Sequence, residues 1–400
     1  MVIKNIQQVS SGLDVLEKEG FLRLQGKRVA ILANQASVNK NFEHIIDLSI
    51  KHGVKIVKLF APEHGLSGAL QYMETVNKII DKRLNIEVIS LYGDNEESLK
   101  LKACELKDID ILLCDLWDIG TRYYTFHCTI AWAMSACAQS HTKLMVLDRP
   151  NPINAQDFEG NLIKRPNFSF VGAYPLMNRH GFSMGELLTH VKSLLNIDVD
   201  LEVVWMQNYD RALYLDETDI PFVPPSPNMP NLNAALTYPG TCLFEATNLS
   251  EGRGTCFPFE QIGAGYITDP YEFKASIDNL GFEGVYLRPI YFKPMFNKFA
   301  NETCGGVFIH ITNRKLFKPL RFGLGVLSIA MQYKNFAWRS EPYEFVSDRL
   351  AIDLLLGDEQ LRLMLQEKAS MKDFDNYFSE QEFSYNIIRK NYLKYQHLNH

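Results

Sequence analysis

Five short apolar runs recur through the first 150 residues with helical stretches between them, and this alternation restricts the chain to one class of fold. Residues 28–34, 54–60, 86–91, 109–114 and 143–147 are near-continuous hydrophobic segments of strand length. Helical patterns occupy 11–17, 42–51, 97–106 and 123–139. Strands that are apolar on both sides must be covered on both faces, which helical crossovers accomplish for parallel strands. Residues 201–205 read as one more strand of the same sheet. The expectation is an α/β fold: a Rossmann-like parallel sheet with helices on both faces, spanning 1–238. No G-x-G-x-x-G follows the first run and no G-x-x-x-x-G-K-[ST] occurs anywhere, so no nucleotide cofactor is expected.

Polar residues fall just beyond these runs: Asn34, Glu63, Asp94, Asp115, Arg122, Asp148 and Asn151, with Tyr123 and Arg149 adjoining. In open parallel sheets the carboxyl ends of the strands form the ligand crevice. Asp and Asn also cap helices and shape turns, but seven such residues on one edge favour a shared site. The most chemically suggestive run is Lys58-Leu-Phe-Ala-Pro-Glu-His-Gly-Leu-Ser-Gly68, which breaks at Pro62 and exposes Glu63 and His64 side by side.

Further along, Gly181-Phe-Ser-Met-Gly185 has the G-x-S-x-G spacing of a nucleophile elbow. The motif needs an apolar strand before it, whereas here Ser183 and Glu186 form a capping box that opens a helix over 184–195. Residues 221–230 hold five prolines in ten positions, too many for a helix or a central strand, and read as a rigid ordered segment. A second polar concentration follows over 238–260, with Glu245, Asn248, Glu251, Arg253 and Glu260 among glycines, and reads as a loop folded over a cleft. Asp269-Pro270 opens a helix with Asp at the N-cap and Pro at N1. Strands at 284–291 and 306–311 and helices at 320–332 and 359–368 complete a smaller α+β C-terminal domain, 239–400, with the active-site cleft between the two domains. Residues from Tyr343 onward read as surface packing, and 392–400 as a frayed polar end.

Composition narrows the partners. The 400 residues are 46% hydrophobic with a net charge of −6, which disfavours nucleic acid, since phosphate binding needs a basic face. No apolar run approaches the ~20 residues of a membrane span. Seven widely spaced cysteines, with no C-x-x-C pair, point to reduced thiols and a cytoplasmic location, the alternative being a periplasmic or secreted form whose signal peptide has been removed. No metal is expected. A glycosidase needs one carboxylic acid to protonate the leaving oxygen and usually a second group as base or nucleophile. Glu63 suits the acid, raised by the apolar lip of Phe60, Ala61 and Pro62 and tuned by His64. Glu245, Glu251, Asp115 or Asp148 could be the second group, and Arg122, Arg149, Arg179 and Arg253 could grip an anionic substrate. Two other classes compete: a metal-dependent hydrolase using Glu63, His64, Asp115 and Asp148 as ligands, and a non-catalytic sugar-acid binding protein.

Several longer motifs carry a family resemblance. Ala33-Asn-Gln35, Leu59-Phe-Ala-Pro-Glu-His-Gly-Leu66, Asp115-Leu-Trp-Asp-Ile-Gly-Thr-Arg-Tyr-Tyr-Thr125, Val146-Leu-Asp-Arg-Pro-Asn-Pro152, Pro225-Ser-Pro-Asn-Met-Pro230, Tyr238-Pro-Gly-Thr-Cys-Leu-Phe-Glu245 and Asn248-Leu-Ser-Glu-Gly-Arg-Gly254 resemble, in the same order, the YbbC-like proteins. That family includes exo-β-N-acetylmuramidases of the NamZ type, and the likeness runs from about Gly12 past Glu359. The resemblance implies release of N-acetylmuramic acid from the non-reducing end of peptidoglycan fragments. It also implies a two-domain structure with a cleft, and it places the family's P-E-H-G glutamate on Glu63. The residues expected in catalysis are therefore Glu63, His64, Glu251 and Glu245. Those expected to bind the carbohydrate are Asn34, Asp115, Arg122, Tyr123, Asp148, Arg149, Asn151, Asn248 and Arg253.

Overall fold

The computed structural model of the chain describes residues 6–68, 79–93 and 95–396; Asp94 lies outside them. The expected sheet is present. β1 (Arg28–Ala33), β2 (Lys55–Ala61), β3 (Ile79–Asp81), β4 (Ile86–Ser90), β5 (Ile111–Asp115) and β6 (Lys143–Leu147) are followed, after the small hairpin of β7 (Glu159–Leu162) and β8 (Met177–Arg179), by β9 (Leu201–Val204). The seven-stranded order is β3-β4-β2-β1-β5-β6-β9. Every pairing is parallel except β3 against β4, an antiparallel edge that the sequence reading did not anticipate.

The reason for the continuous apolar runs is visible in how each strand divides its side chains. Ala30 and Leu32 of β1, Leu112 and Cys114 of β5, and Leu144 and Val146 of β6 enter one apolar cluster with Ile130, Ala133 and Met134 of the helix Phe126–Ser140. Val29, Ile31 and Ala33, Ile111 and Leu113, and Met145 and Leu147 enter another, beneath the helices Gly12–Lys18 and Ile45–Lys51. Alternate side chains therefore face opposite layers, and neither face tolerates a charge.

One expected helix is not formed. Residues 97–106 instead make two 3₁₀ turns, Glu96–Leu99 and Ala103–Leu106. The chain extends at Lys100, so that Leu99 and Leu101 enter separate apolar clusters, and a continuous helix is lost. Ser183 does cap the helix Met184–Leu194, with the reciprocal Glu186 contact of a capping box.

The proline-rich segment has no helix or strand and is strapped to the end of β1. Asn34 Nδ2 donates to the Pro225 carbonyl (3.3 Å) and Gln35 Nε2 to the Pro224 carbonyl (2.8 Å). Beyond it the expected cleft loop begins as helix, through 246, and then runs as turns and isolated bridges to 260. Leu232–Thr241 is a helix with Pro239 inside it, continued by a 3₁₀ turn, Cys242–Ala246. Tyr238, where the sequence suggests a domain boundary, lies within this helix. Its backbone packs directly on the helix Pro319–Ala330: a Cβ on Gly240 would meet the Pro319 carbonyl oxygen at 1.9 Å, and one on Gly323 the Gly240 carbonyl at 2.4 Å. Only glycine fits such an approach.

The second half contains an antiparallel sheet of β10 (Gln261–Ala264), β11 (Val285–Phe292) and β12 (Cys304–Ile311) in the order β10-β12-β11. Its helices are Pro270–Asp278, capped by Asp269 as expected, then Pro319–Ala330, Ala351–Leu356, Glu359–Gln366 and Met371–Arg389. The last of these returns to the first half: Glu382 Oε1 accepts from the Gly160 amide (3.0 Å) and Tyr385 donates to the His180 carbonyl (2.8 Å). The C-terminal end is not frayed through Tyr395, because that residue is buried against the large sheet. Its hydroxyl accepts from the Met206 amide (2.8 Å) and donates to Asp148 Oδ2 (2.5 Å). Residues 397–400 lie outside the described residues.

Asp148 gives this anchor a measurable signature. Burial pushes its carboxyl up to about 7, against the pull of hydrogen bonds from Tyr395, the Gly185 amide and Ser183. The folded value lies above the unfolded one of ~3.9, so the native state binds the proton more tightly between the two. Stability therefore falls as pH rises from about 4 to 7 and is constant beyond. In Asp148→Asn this titration is absent, so the variant's Tm relative to the wild type should climb across that window and then run parallel. A Tm difference that is flat from pH 4 to 8 would refute the assignment.

Candidate active site

Glu63 stands where β2 ends. Pro62 breaks the strand, and the chain turns through His64 (φ 71°) and Gly65 (φ 76°), with the Gly65 amide donating to the Pro62 carbonyl at 3.0 Å. The turn packs closely: a Cβ on Gly68 would meet the Gln35 amide group at 2.2 Å. The Glu63 side chain is buried, and its Oε2 accepts from Thr125 Oγ1 at 3.0 Å. Thr125 is the N-cap residue of the helix Phe126–Ser140, so the carboxyl lies at the helix end whose free amides favour negative charge.

Glu63 and His64 open into a small, partly enclosed pocket with a cavity of about 50 Å³. One wall is Tyr123–Phe126 and Val171, another is Ser226, Asn228 and Met229 from the proline-rich segment. The second half contributes Tyr238, Glu245, Arg253, Phe259, Tyr343 and Glu344. Residues from both halves of the chain thus line one space.

The wall from the second half is built on a charge-balanced cluster. Arg253 Nη2 donates to Glu245 Oε1 at 2.6 Å, and its Nε lies 3.4 Å from Glu251 Oε1. Lys298 Nζ donates to Glu251 Oε2 at 2.8 Å and to the carbonyls of Phe244 and Leu249. The Tyr343 hydroxyl donates to Glu245 Oε2 at 2.9 Å. Burial by itself would push the Glu245 carboxyl up. The charge and hydrogen bond of Arg253, the Tyr343 hydroxyl and the Lys298 charge outweigh it and hold Glu245 below its ordinary value. Burial likewise opposes the Arg253 charge, but Glu245 and Glu251 overcome it and hold the guanidinium well above its ordinary value. The Arg253 guanidinium also lies over the Phe259 ring, 5.2 Å from its centre.

Most of the other expected site residues are tied into the fold instead. Asp115 and Arg149 form a fully buried bidentate pair (2.5 and 2.6 Å), with Arg149 Nη2 also on the Val38 carbonyl (2.9 Å). Arg122 is buried, and burial lowers its guanidinium to about 10; it donates to the carbonyls of Asn161, Leu176 and Leu355 at 2.7–3.0 Å. Asp148 serves Tyr395, Ser183 and the Gly185 amide. Asn151 bridges the Phe182 carbonyl and the Ile153 amide, and Asn34 bridges the Pro225 carbonyl and the Ala36 amide. Asn248 holds the 335–337 segment through the Asn335 carbonyl and the Ala337 amide. Arg179 donates to the Ile153 carbonyl, with Asp157 at 3.5 Å. Glu251 supports Arg253 and Lys298 from behind the lining residues. Tyr123 does line the pocket, but its hydroxyl is committed to the Pro239 carbonyl. Of the strand-end residues that are described, only Glu63 faces the pocket.

Sequence reasoning missed Thr125, Ser226, Asn228, Tyr343 and Glu344. The first three sit inside motifs already recognised, in 115–125 and 225–230. Tyr343 and Glu344 carry no periodic or compositional signal, and far from being surface packing both are buried. Among the described residues no group of three or more His, Cys, Asp or Glu side chains is arranged to hold a metal ion. The ligand set weighed from sequence does not converge, because Asp115 and Asp148 point to Arg149 and Tyr395. No described helix is long and apolar enough to cross a membrane.

Comparison with known proteins agrees with this architecture. Residues 29–233 match the family model of the exo-β-N-acetylmuramidase NamZ N-terminal domain, and residues 236–395 match that of its C-terminal domain. The peptidoglycan β-N-acetylmuramidase NamZ of Bacillus subtilis (strain 168) is 36% identical over 389 residues, covering 97% of this chain and 92% of that protein. Two crystal structures of DUF1343 family proteins from Bacteroides fragilis NCTC 9343 are also similar. One superposes with a TM-score of 0.87 at 27% identity (97% and 99% of the two chains), the other with 0.76 at 26% identity (98% and 100%). The chain belongs to the NamZ family of exo-β-N-acetylmuramidases.

Proposed function

We propose that this protein is an exo-acting glycoside hydrolase that releases N-acetylmuramic acid from the non-reducing end of peptidoglycan fragments, with Glu63 as general acid. The observation that carries the assignment is the Glu63 carboxyl, buried on the wall of a pocket lined from both halves of the chain, with Thr125 as its hydrogen-bond partner among the described residues. Thr125 takes Oε2, which leaves Oε1 to carry the transferable proton. As the bond from C1 to the glycosidic oxygen breaks, that oxygen receives the proton and leaves as an alcohol, while positive charge develops at C1. The pocket's carboxylates favour such charge, and its buried setting strengthens every electrostatic contact with it.

Arg253 is the anchor for the lactyl carboxylate that distinguishes muramic acid from glucosamine. With Nη2 on Glu245 and Nε toward Glu251, its Nη1 is left for a ligand. A planar guanidinium fixed from behind in this way costs little further ordering when it binds a carboxylate.

The test of the substrate is release of chromophore from an aryl β-N-acetylmuraminide beside the matching β-N-acetylglucosaminide. Cleavage of the muraminide is expected to dominate; equal or exclusive cleavage of the glucosaminide would sink the muramic-acid assignment. Glu63→Gln should lower kcat by about 10²–10⁴-fold, the usual contribution of a general acid. Near wild-type turnover in that variant would place the acid elsewhere. Thr125→Val should lower kcat by about 10-fold with little change in KM, as expected for one hydrogen bond to a carboxyl that becomes charged as its proton is transferred. An unchanged kcat would show that the Thr125 contact has no part in the reaction.

A further inference from the structure

Glu344 is delivered into the pocket by a turn that its own residue type disfavours. Tyr343 and Val346 exchange both backbone hydrogen bonds, at 3.0 and 2.9 Å, which closes a hairpin on two corner residues. Those corners, Glu344 (φ 47°) and Phe345 (φ 66°), are both left-handed. Asn-Gly is the usual occupant of such a pair, because a Cβ crowds the following carbonyl in this conformation. Here a buried glutamate and a phenylalanine occupy it instead. Non-glycine residues persist in such conformations where the surroundings over-determine them, and they gather at functional sites. Two more stand on the same pocket wall line, His64 (φ 71°) and Phe259 (φ 65°).

The hairpin is held by its neighbours. Tyr343, the residue before Glu344, gives its hydroxyl to Glu245 Oε2, and Glu245 Oε1 is held by Arg253. Both oxygens of Glu245 are therefore occupied, and the carboxylate that sequence suggested as second catalyst serves as a clamp. What the clamp fixes is the hairpin, and what the hairpin presents to the pocket alongside Glu63 is Glu344.

We propose that Glu344 is the second carboxylate of the hydrolytic reaction and that Glu245 is its positioning residue. This rests on the glycosidase reading above. In the ionised form Glu344 accepts a proton from a water molecule while the oxygen of that water bonds to C1. The bond from C1 to the glycosidic oxygen breaks, and the departing oxygen takes the Glu63 proton. Glu63 ends as carboxylate and Glu344 as carboxylic acid, and proton exchange with solvent restores both. No other reactant is consumed.

The experiment compares Glu344→Gln, Glu344→Ala and Tyr343→Phe on the aryl β-N-acetylmuraminide, with Tm measured for each. Glu344→Gln is expected to lose about 10²–10⁴-fold in kcat, the range for a general base, with KM within about threefold and an unchanged Tm. Glu344→Ala should recover turnover in added azide, with glycosyl azide as product, because the small anion replaces the water that Glu344 no longer activates. Tyr343→Phe should lose about 10-fold and gain nothing from azide, since it loosens the clamp without removing the base. A Glu344→Gln enzyme within about fivefold of wild type, or a Glu344→Ala enzyme indifferent to azide, overturns the assignment. If Glu63→Gln is inactive while Glu344→Gln is active, the glycosidase reading stands and this inference alone falls.

Discussion

A parallel sheet that is buried on both faces leaves a charge nowhere to go along its strands. In the central strands β1, β5 and β6 the charged groups therefore stand only at the ends, β2 delivers Glu63 just past its own end, and much of the molecule is arranged around how those ends are satisfied. Asp115 and Arg149 satisfy each other, in a fully buried pair with two contacts of 2.5 and 2.6 Å. Such a pair adds little net stability over an apolar replacement, but removing one partner is costly, so both are locked in. Asp148 is satisfied by the C-terminal Tyr395, Ser183 and a helix amide. Glu63 differs in having Thr125 on one oxygen and an open pocket beside it. The same constraint thus yields internal struts at two strand ends and a pocket-facing carboxyl at a third.

The struts explain how a pocket assembled from distant segments keeps its shape. Arg122, at the β5 side of the first half, donates to the Leu355 carbonyl in the second. The Met371–Arg389 helix lies back on the hairpin of β7 and β8, and Tyr395 reaches Asp148 at the carboxyl end of β6. Gly240 and Gly323 bring two helix backbones into contact beside Tyr238, which itself lines the pocket. These contacts cross between the halves at several places and leave little room for one half to shift against the other. A general acid and a group on the facing wall need that rigidity, because small displacements cost catalysis heavily.

The fold was more legible than the site, for a physical reason. Burial on both faces writes itself into every strand as a continuous apolar run, so the parallel sheet, its strand order of appearance and most helices could be read directly. What failed were places where tertiary context decides. The 97–106 helix dissolved because Leu99 and Leu101 serve different clusters, and the Leu232–Thr241 helix tolerates Pro239 inside it while Gly240 packs against a neighbouring helix. At the site, sequence placed Asn34, Asp115, Arg122, Asp148, Arg149 and Asn151 correctly at strand ends but could not tell which end faces inward. A buried salt bridge and a substrate anchor use the same residue types. Glu63, Glu245 and Arg253 were found because their motifs mix charge with glycine and proline. Tyr343 and Glu344 were not, because a two-residue turn has no periodicity and theirs lacks the glycine or asparagine that marks one.

Tyr343 and Glu344 bear on how the pocket's charges divide their work. Glu245, Arg253, Glu251 and Lys298 contain two negative and two positive groups in mutual contact, so the cluster as a whole is close to neutral and its members are satisfied before any substrate arrives. A group in that state resists both losing and gaining a proton, as the depressed Glu245 and elevated Arg253 indicate. It is suited to holding geometry and to meeting a fixed charge such as a sugar carboxylate. Proton transfer needs a group that can change state near neutral pH without dismantling its supports. Glu63, held by Thr125 through one oxygen and facing the pocket, is placed outside that cluster. The division also accounts for the chain spending a strained turn on Glu344: the clamped cluster supplies the rigidity, and the carboxylate it carries forward is a different one.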